Sequence, residues 1–294
     1  MKKQLHVTAL TTLQGCGHRY YLRYIKDIHR PRSTRLAVGT AAHKAIARNL
    51  TNKAVKGELL DREEVDDIAA ETINEEAGKE DLTDDGVTTI AKKRQGELVD
   101  ESVAFSRVHY DQRAPFSRPA IIEQEINGEV QKVTTVERPY VLEMSHYPFN
   151  LAGTIDLLDN TAKPGKKPKF AIRDNKTARK MPNLDTAKSA IQLTAYAMAT
   201  RYLDDQKYPI ETVFDYLVIG RKTKDDEAVS SVAMRNAEDE KSFLRIFELG
   251  CKTIETGLFM PAEPGSFLSP CGFCEFRFGD CRFYSDPKTA GIRK

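Results

Sequence analysis

Two stretches of the chain decide its fold: NLAGTIDLL at residues 150–158 and FAIRDNK at residues 170–176. Both are rich in apolar and β-branched residues, so the first predicts a strand along its length and the second a strand over Phe170–Asp174. Pro164 and Gly165 in the connecting loop favour a turn. Two strands joined in this way are expected to place their polar residues close together.

An aspartate stands on each strand, Asp156 on the first and Asp174 on the second. Two carboxylates that lie close repel each other unless a divalent cation lies between them, and hard oxygen ligands suit Mg²⁺ or Mn²⁺. Lys176 follows Asp174 by two residues, so both side chains share a face of the strand. An ammonium group there can orient water and stabilise developing negative charge. The trio fits metal-assisted phosphodiester hydrolysis, although an Asp-x-Lys sequence also occurs at ordinary strand ends that carry a salt bridge.

Three more patterns surround these residues. In chain order the patterns are G-x-x-x-H at 39–43, G-x-x-D at 153–156, D-x-K at 174–176 and Q-x-x-x-Y at 192–196. The last pair is four residues apart and shares one helix face. This order and spacing resemble the RecB-like branch of the PD-(D/E)XK nuclease superfamily over most of residues 12–283.

The resemblance implies an α/β fold with a restriction-endonuclease-like core, in which a mixed sheet is flanked by helices. Residues 1–294 are then expected to form a single nuclease domain. The stretch 52–118 is not matched and is expected to be a helical insertion, because residues 58–110 read as helical and acidic. Residues 261–294 form a cysteine-rich tail that is expected to close on the N-terminal helix.

The resemblance also implies roles for individual residues. His43, Asp156 and Asp174 would ligate the metal, and the backbone carbonyl of Asn175 would help complete its shell. Lys176 would be the catalytic lysine. Gln192 and Tyr196 would support the catalytic site and the nucleic-acid strand. The chain departs from the commoner pattern in one respect, because its second acid is Asp rather than Glu.

Cysteines supply a second signature. Cys271, Cys274 and Cys281 follow the pattern C-x2-C-x6-C, and Cys16 is the candidate for a fourth ligand. Three cysteines within a short segment favour metal or cluster ligation in a reducing compartment over disulfides, so the protein is expected in the cytoplasm of a bacterial or phage-infected cell. Four thiolates fit either a [4Fe–4S] cluster or zinc. Cys251 lies in an apolar helical pattern and is expected to be buried.

One of these cysteines lies near the start of the chain and three lie near its end. This arrangement is similar to that of the iron–sulfur nucleases of the same branch. These are the AddB-type helicase-nuclease subunit and the CRISPR-associated nuclease of spacer acquisition. There a cluster clamps the C-terminal tail onto the N-terminal helix. The resemblance therefore implies a structural [4Fe–4S] cluster, with zinc as the alternative.

Charge is distributed unevenly along the chain. The net charge is only +2, but residues 1–50 hold ten Lys/Arg and one acid, while residues 53–101 hold sixteen Asp/Glu and seven Lys/Arg. Residues 161–190 are basic again. A small net charge therefore does not exclude a polyanionic partner. Basic residues near the motifs are candidates for phosphate contacts in a nucleic-acid groove: Arg19, Arg23, Arg179 and Lys180.

These observations and the resemblance predict a metal-dependent DNA nuclease. We expect an exonuclease that acts on single-stranded or frayed ends rather than an endonuclease. The resemblance implies a role in DNA repair, recombination or CRISPR-type DNA processing. No G-x-x-x-x-G-K-[ST] loop occurs, so unwinding would need a helicase or a recombination or CRISPR partner protein. No apolar run reaches the ~18 residues that span a bilayer, so no membrane partner is expected. The alternatives are a non-catalytic iron–sulfur DNA-binding or recombination-accessory module and a zinc-stapled structural protein.

The remaining predicted elements follow from periodicity and turn residues. Helices are predicted at 18–28, from Gly39 to about Leu50, at Leu184–Tyr202 and at Ala237–Thr256. Strands are predicted at Ala120–Ile126, Lys132–Val136, Tyr140–Met144 and Val213–Ile219. Asn127-Gly128 predicts a hairpin turn after the first of these strands.

Overall fold

A computed structural model describes residues 2–79, 82–83, 92–126, 128–163, 165–220, 226–263, 269–277 and 279–283. The chain forms two compact units. The smaller unit comprises Met1–Arg30, Val141–Gly153 and Lys241–Lys294, and the larger comprises Pro31–Tyr140 and Thr154–Glu240.

Helices and strands follow one another in blocks along the chain. In order they are β1 (Lys3–His6), α1 (Val7–Gly15), α2 (Gly17–Tyr20), a π-helical turn (Tyr21–Ile25), α3 (Thr34–Lys56), α4 (Arg62–Lys79), α5 (Lys92–Gln112), β2 (Ile121–Ile126), β3 (Glu129–Thr134), β4 (Val136–Leu142), β5 (Phe149–Asn160), β6 (Phe170–Ala178), α6 (Thr186–Ser189), α7 (Ile191–Leu203), β7 (Ile210–Val218), β8 (Glu227–Arg235), α8 (Ala237–Thr256) and a 3-10 turn (Pro270–Phe273).

The larger unit is built on a mixed β-sheet. Strand β6 pairs with β5 in antiparallel and with β7 in parallel orientation, and β8 pairs with β7 in antiparallel orientation. Strand β4 also pairs with β5. The two strands predicted from the motifs are therefore direct neighbours, and the predicted α/β fold with a mixed sheet is confirmed.

Helix α3 packs closely on this sheet because its inner face carries small residues. Ala37, Ala41 and Ala42 are fully buried in a core that also contains Leu157 of β5 and Leu217 of β7. A Cβ atom at Gly39 would lie 3.4 Å from the hydroxyl of Thr177 on β6. Helix α3, which carries His43, thus lies within contact distance of β6 at Gly39.

The predicted insertion is helical. Helices α4 and α5 pack on each other and on α3, and their buried side chains include Ile73, Leu98 and Phe105. Residues 80–81 and 84–91 between them lie outside the described residues. Strands β2 and β3 then form the predicted hairpin, in which Gly128 has a left-handed φ of +83°; Asn127 also lies outside the described residues.

The smaller unit contains a parallel strand pair and helices. Residues Lys3–His6 of β1 pair with Phe149–Ala152, the first part of β5. In α8, Cys251 is buried, as expected. Among the described residues, no helix combines the length and apolar character that a membrane-spanning segment needs.

Two predicted helices differ from the observed structure. The stretch Leu184–Tyr202 is interrupted at Ala190, whose backbone is extended between α6 and α7. The guanidinium of Arg235 donates hydrogen bonds to the carbonyls of Ala187, Lys188 and Ala190, which compensates for the lost helical bonds. The stretch 18–28 contains a short helix that continues as a π-helical turn over Tyr21–Ile25, in which Tyr24 and Ile25 are exposed.

Candidate active site

The centre of the site is formed by side chains of α3, β5 and β6. Asp156 Oδ2 lies 3.3 Å from His43 Nδ1 and accepts a hydrogen bond of 2.9 Å from the backbone N–H of Asn175. Lys176 Nζ lies 2.5 Å from Asp174 Oδ2, and Asp174 is only 1% exposed. These contacts pair His43 with Asp156 and Asp174 with Lys176. Among the described residues, the carboxylate of Asp174 does not lie within 4.8 Å of the ligand atoms of both His43 and Asp156, so the predicted trio of metal ligands is not at ligand spacing.

The two aspartates have different electrostatic environments. Burial and the charge of Asp156 raise the pKa of Asp174 to about 7. Burial would also raise the pKa of Asp156, but the hydrogen bond and charge of His43 lower it. Burial would lower the pKa of His43, but its hydrogen bond to Asp156 raises it. A divalent cation between the carboxylates would relieve the repulsion that favours a proton on Asp174.

A third carboxylate, which sequence patterns did not reveal, joins this cluster. His43, Glu137 and Asp156 each offer a ligand atom, and these atoms lie within 4.8 Å of one another. Glu137 is solvent-accessible, but partial desolvation and the charges of Asp156 and Asp174 raise its pKa to about 7. Carboxylate oxygens with one imidazole suit Mg²⁺ or Mn²⁺. These residues therefore fit a divalent cation.

The backbone of Glu137 is in an unusual conformation for a non-glycine residue. Its φ is +47°, in the left-handed region, which costs about 1 kcal/mol or more. The residue lies in β4, where Val136 and Arg138 on either side are buried. In the sequence Glu137 falls between two predicted strands, Lys132–Val136 and Tyr140–Met144, so no local signal marks it.

Helix α7 supplies a second layer of contacts. Lys176 Nζ donates to Gln192 Oε1 at 3.4 Å, and Gln192 Nε2 donates to the hydroxyl of Tyr196 at 2.7 Å. The ring of Tyr196 packs edge-to-face on Tyr140, with centroids 6.0 Å apart. The Q-x-x-x-Y pattern thus forms a hydrogen-bonded chain that ends on Lys176.

The sequence matches the model of the PD-(D/E)XK nuclease superfamily over residues 4–278, which is nearly the whole chain. The chain belongs to this superfamily. Nucleases of this superfamily use divalent metals such as Mg²⁺ or Mn²⁺, which agrees with the carboxylate cluster. No curated protein sequence matches this nuclease.

Two solved structures resemble the nuclease at low sequence identity. One is a "putative exonuclease" from Eubacterium rectale, with 13% identity and a TM-score of 0.49 over 99% of this chain and 94% of that one. Another is SSO0001, with 12% identity and a TM-score of 0.33 over 95% of this chain and 96% of that one. Likenesses this distant carry no information about activity.

The predicted phosphate-contacting residues of the nuclease are mostly in ion pairs. Arg19 and Arg23 lie 2.7 and 3.6 Å from the carboxylate of Glu275. Arg179 is bonded to Glu101 of α5. Lys180 is exposed. The predicted phosphate contacts at the three arginines would therefore have to replace or share carboxylate partners.

The four predicted cluster ligands line one pocket of the smaller unit: Cys16, Cys271, Cys274 and Cys281. All four are free thiols. The sulfur of Cys16 accepts hydrogen bonds from the backbone N–H groups of Arg19 at 3.4 Å and Ala262 at 3.3 Å. Burial raises the pKa of Cys274 to about 11, so this thiol stays protonated unless a metal displaces the proton.

Proposed function

We propose that this nuclease is a metal-dependent deoxyribonuclease that hydrolyses phosphodiester bonds, as an exonuclease on single-stranded or frayed DNA ends. The observation that carries the proposal is the pairing of His43 on α3 with Asp156 on β5, next to the pair of Asp174 and Lys176 on the neighbouring strand β6. Carboxylates beside a lysine suit a charged phosphodiester, because the ammonium group can stabilise negative charge on the phosphate oxygens.

In this proposal, His43, Glu137, Asp156 and Asp174 hold Mg²⁺ or Mn²⁺, with the Asn175 carbonyl completing the shell. The bound ion would supply Lewis acidity toward the phosphodiester. The ammonium group of Lys176 donates hydrogen bonds to the attacking water and to the phosphate oxygens as their negative charge grows. Gln192 and Tyr196 fix the position of Lys176 through the hydrogen-bonded chain of α7.

The preference for ends rests on the acidic insertion. Helices α4 and α5 pack on α3, which carries His43, and they bring most of the acidic residues of 53–101. Acidic helices beside the site repel a duplex that approaches sideways and favour a single strand that enters by its end.

Digestion of linear and circular single-stranded DNA tests this preference. With Mg²⁺ or Mn²⁺ present, end-labelled linear single strands should be degraded progressively, and closed circular strands should survive much longer. Equal rates on both substrates would show an endonuclease, and no cleavage of either would contradict the proposed activity.

The cysteine pocket is proposed to hold a structural [4Fe–4S] cluster. One of the four thiols, Cys16, comes from the start of the chain and three come from a short segment near its end, as in the iron–sulfur nucleases that the motifs resemble. Hydrogen bonds to sulfur, as at Cys16, are usual around iron–sulfur clusters. Anaerobically purified protein should be brown and contain iron; colourless protein with stoichiometric zinc would contradict the assignment.

The same proposal covers the organisation and the pathway. Residues 1–294 act as one nuclease domain, with 52–118 as the insertion and 261–294 as the tail that the cluster fixes to the N-terminal helix. The role in repair, recombination or CRISPR-type DNA processing, with a helicase or recombination partner, rests on the resemblance of the motifs. Pull-down from cells with the catalytically inactive protein would identify such a partner.

A further inference from the structure

Two arginines that adjoin β6 and α3 in the chain are held by acidic residues of the helical insertion. The first is Arg179, at the end of β6, three residues after Lys176. Its guanidinium is bonded to the carboxylate of Glu101 on α5. The other oxygen of Glu101 lies 3.5 Å from Arg94. The insertion thus reaches the end of the strand that carries the catalytic lysine.

The second arginine is Arg32, just before α3. It is bonded to the carboxylate of Glu76 on α4, and it donates a hydrogen bond of 3.3 Å to the hydroxyl of Thr40. Thr40 lies three residues before His43, on the same face of α3. Both arginine–glutamate pairs therefore lie next to elements that carry active-site residues.

These pairs are accessible to solvent and can exchange partners. The side chain of Arg179 is 31% exposed and that of Glu101 is 21% exposed. The pair of Arg32 and Glu76 is similarly half-buried. Guanidinium groups bind carboxylates and phosphates with the same planar, two-pronged geometry. Each glutamate therefore occupies guanidinium donors that can also bind a phosphate.

We propose that Glu101 and Glu76 are specificity-determining residues that compete with nucleic-acid phosphates for Arg179 and Arg32. The inference rests on the proposed function, because it assumes a polyanionic substrate. A strand that reaches the active site can displace the carboxylates and gain both guanidinium groups. A polyanion that contacts only the outer surface meets Arg179 and Arg32 while their charges are neutralised by Glu101 and Glu76. The insertion therefore weakens the binding of polyanions that do not reach the active site.

The test compares two charge-neutralising substitutions on the same helix. Glu101→Gln should bind a fluorescein-labelled single-stranded oligonucleotide about two- to fivefold more tightly than wild type in EDTA, as expected for removal of an exposed ion pair. With Mn²⁺ present its KM should fall by a similar factor while kcat stays constant. Glu97→Gln is the matched control, because Glu97 pairs with Arg94 one turn earlier on α5 and is not bonded to Arg179.

A double-mutant cycle shows whether the gain acts through Arg179. In an Arg179→Met background, Glu101→Gln should no longer change the affinity. Glu76→Gln provides an independent variant at Arg32 and should also tighten binding. Circular dichroism and the melting temperature check that each variant is folded.

The outcomes separate this inference from the proposed function. Equal gains in Glu101→Gln and Glu97→Gln, or a gain that persists without Arg179, would mean a general charge effect and overturn the inference. Unchanged affinity and KM in folded Glu101→Gln and Glu76→Gln, with a wild type that cleaves DNA, would overturn the inference alone. A wild type that neither binds nor cleaves DNA would overturn the proposed function and the inference with it.

Discussion

The carboxylate site and the cysteine pocket differ in what holds their residues in place. In the carboxylate site the side chains contact one another: His43 and Asp156 pair, Asp174 pairs with Lys176, and Gln192 bonds to Lys176. In the cysteine pocket the four thiols line the same space, but the hydrogen bonds of Cys16 come from the backbone. The proposed ligands of the first site bond to one another, whereas the segments that carry the four thiols are joined through other residues, such as Arg19 and Glu275.

The two regions also differ in secondary structure. The carboxylates stand on β5 and β6, in a sheet whose apolar residues are deeply buried. The described part of the cysteine-rich tail after α8 contains one 3-10 turn, and its fully buried apolar side chains are few, with Phe276 the largest. Little hydrophobic burial is available there, so a metal cluster would supply much of the stability of the tail. Substitutions at the carboxylate site should abolish cleavage but leave the protein folded. Substitutions at the cysteine pocket should destabilise the fold but leave cleavage by the folded protein largely intact.

Asp174→Asn should have the largest effect on turnover. It keeps the size of the side chain but removes a charge from the proposed cation site, so kcat should fall by more than about 10³-fold. Cleavage of end-labelled single-stranded DNA in Mn²⁺ measures this loss. The control is Asp185→Asn, which neutralises an exposed aspartate paired with Lys188; a similar loss in the control would contradict the special role of Asp174.

Lys176→Met should have the next largest effect. The ammonium group is proposed to act on the growing negative charge, so kcat should fall by about 10²- to 10³-fold while Mn²⁺ affinity is kept. Rates and calorimetric Mn²⁺ titration together separate these quantities. Lys188→Met removes an exposed lysine and should leave both unchanged. A Lys176→Met protein with full activity would exclude the lysine from the mechanism.

Tyr196→Phe should have a moderate effect. It removes the hydroxyl that accepts from Gln192 at 2.7 Å, so Gln192 holds Lys176 less firmly. Loss of one such hydrogen bond predicts a fall in kcat of about three- to tenfold. Tyr208→Phe, which removes a hydroxyl bonded to Glu240 instead, is the control. Equal falls in both variants would point to a general loss of stability.

Cys274→Ser should have the smallest effect on turnover and a clear effect on stability. Loss of a cluster ligand should remove the visible absorbance and lower the melting temperature by roughly 5–10 °C. At low temperature kcat should stay within about twofold of wild type. Cys251→Ala removes a buried thiol outside the pocket and should keep the absorbance. The proposed ligand set would be wrong if Cys274→Ser kept the visible absorbance of the wild type, or if Cys251→Ala lost it.

Sequence patterns predicted elements whose own residues determine them. Helix α8 begins and ends at the predicted Ala237 and Thr256, because its apolar face repeats at helical spacing. Strands β5 and β6 extend only a few residues beyond their predicted ends. The motifs also placed the two aspartates on adjacent strands, which the sheet confirms.

Features that depend on distant residues could not be predicted. The break at Ala190 is stabilised by Arg235, which is far away in the sequence. Glu137 joins the carboxylates through a left-handed backbone that no neighbouring residue signals. Strands β1 and β8 were missed because β1 is only four residues long and the burial of β8 alternates only in its second half. These are tertiary effects that override local preference.

The central claim is that Asp156 and Asp174 bind a divalent cation and that this cation is required for DNA cleavage. The most direct test measures the rate of DNA cleavage as a function of Mn²⁺ concentration. The purified wild type is first treated with EDTA, and Mn²⁺ is then added in steps. The initial rate of cleavage of an end-labelled linear single strand is measured at each Mn²⁺ concentration. Calorimetry on the same sample measures Mn²⁺ binding. The account predicts no cleavage in EDTA, a saturable rise in rate, and half-maximal rate and binding at the same Mn²⁺ concentration. Cleavage that is equally fast in EDTA, or a protein that binds no Mn²⁺ and cleaves nothing, would contradict it.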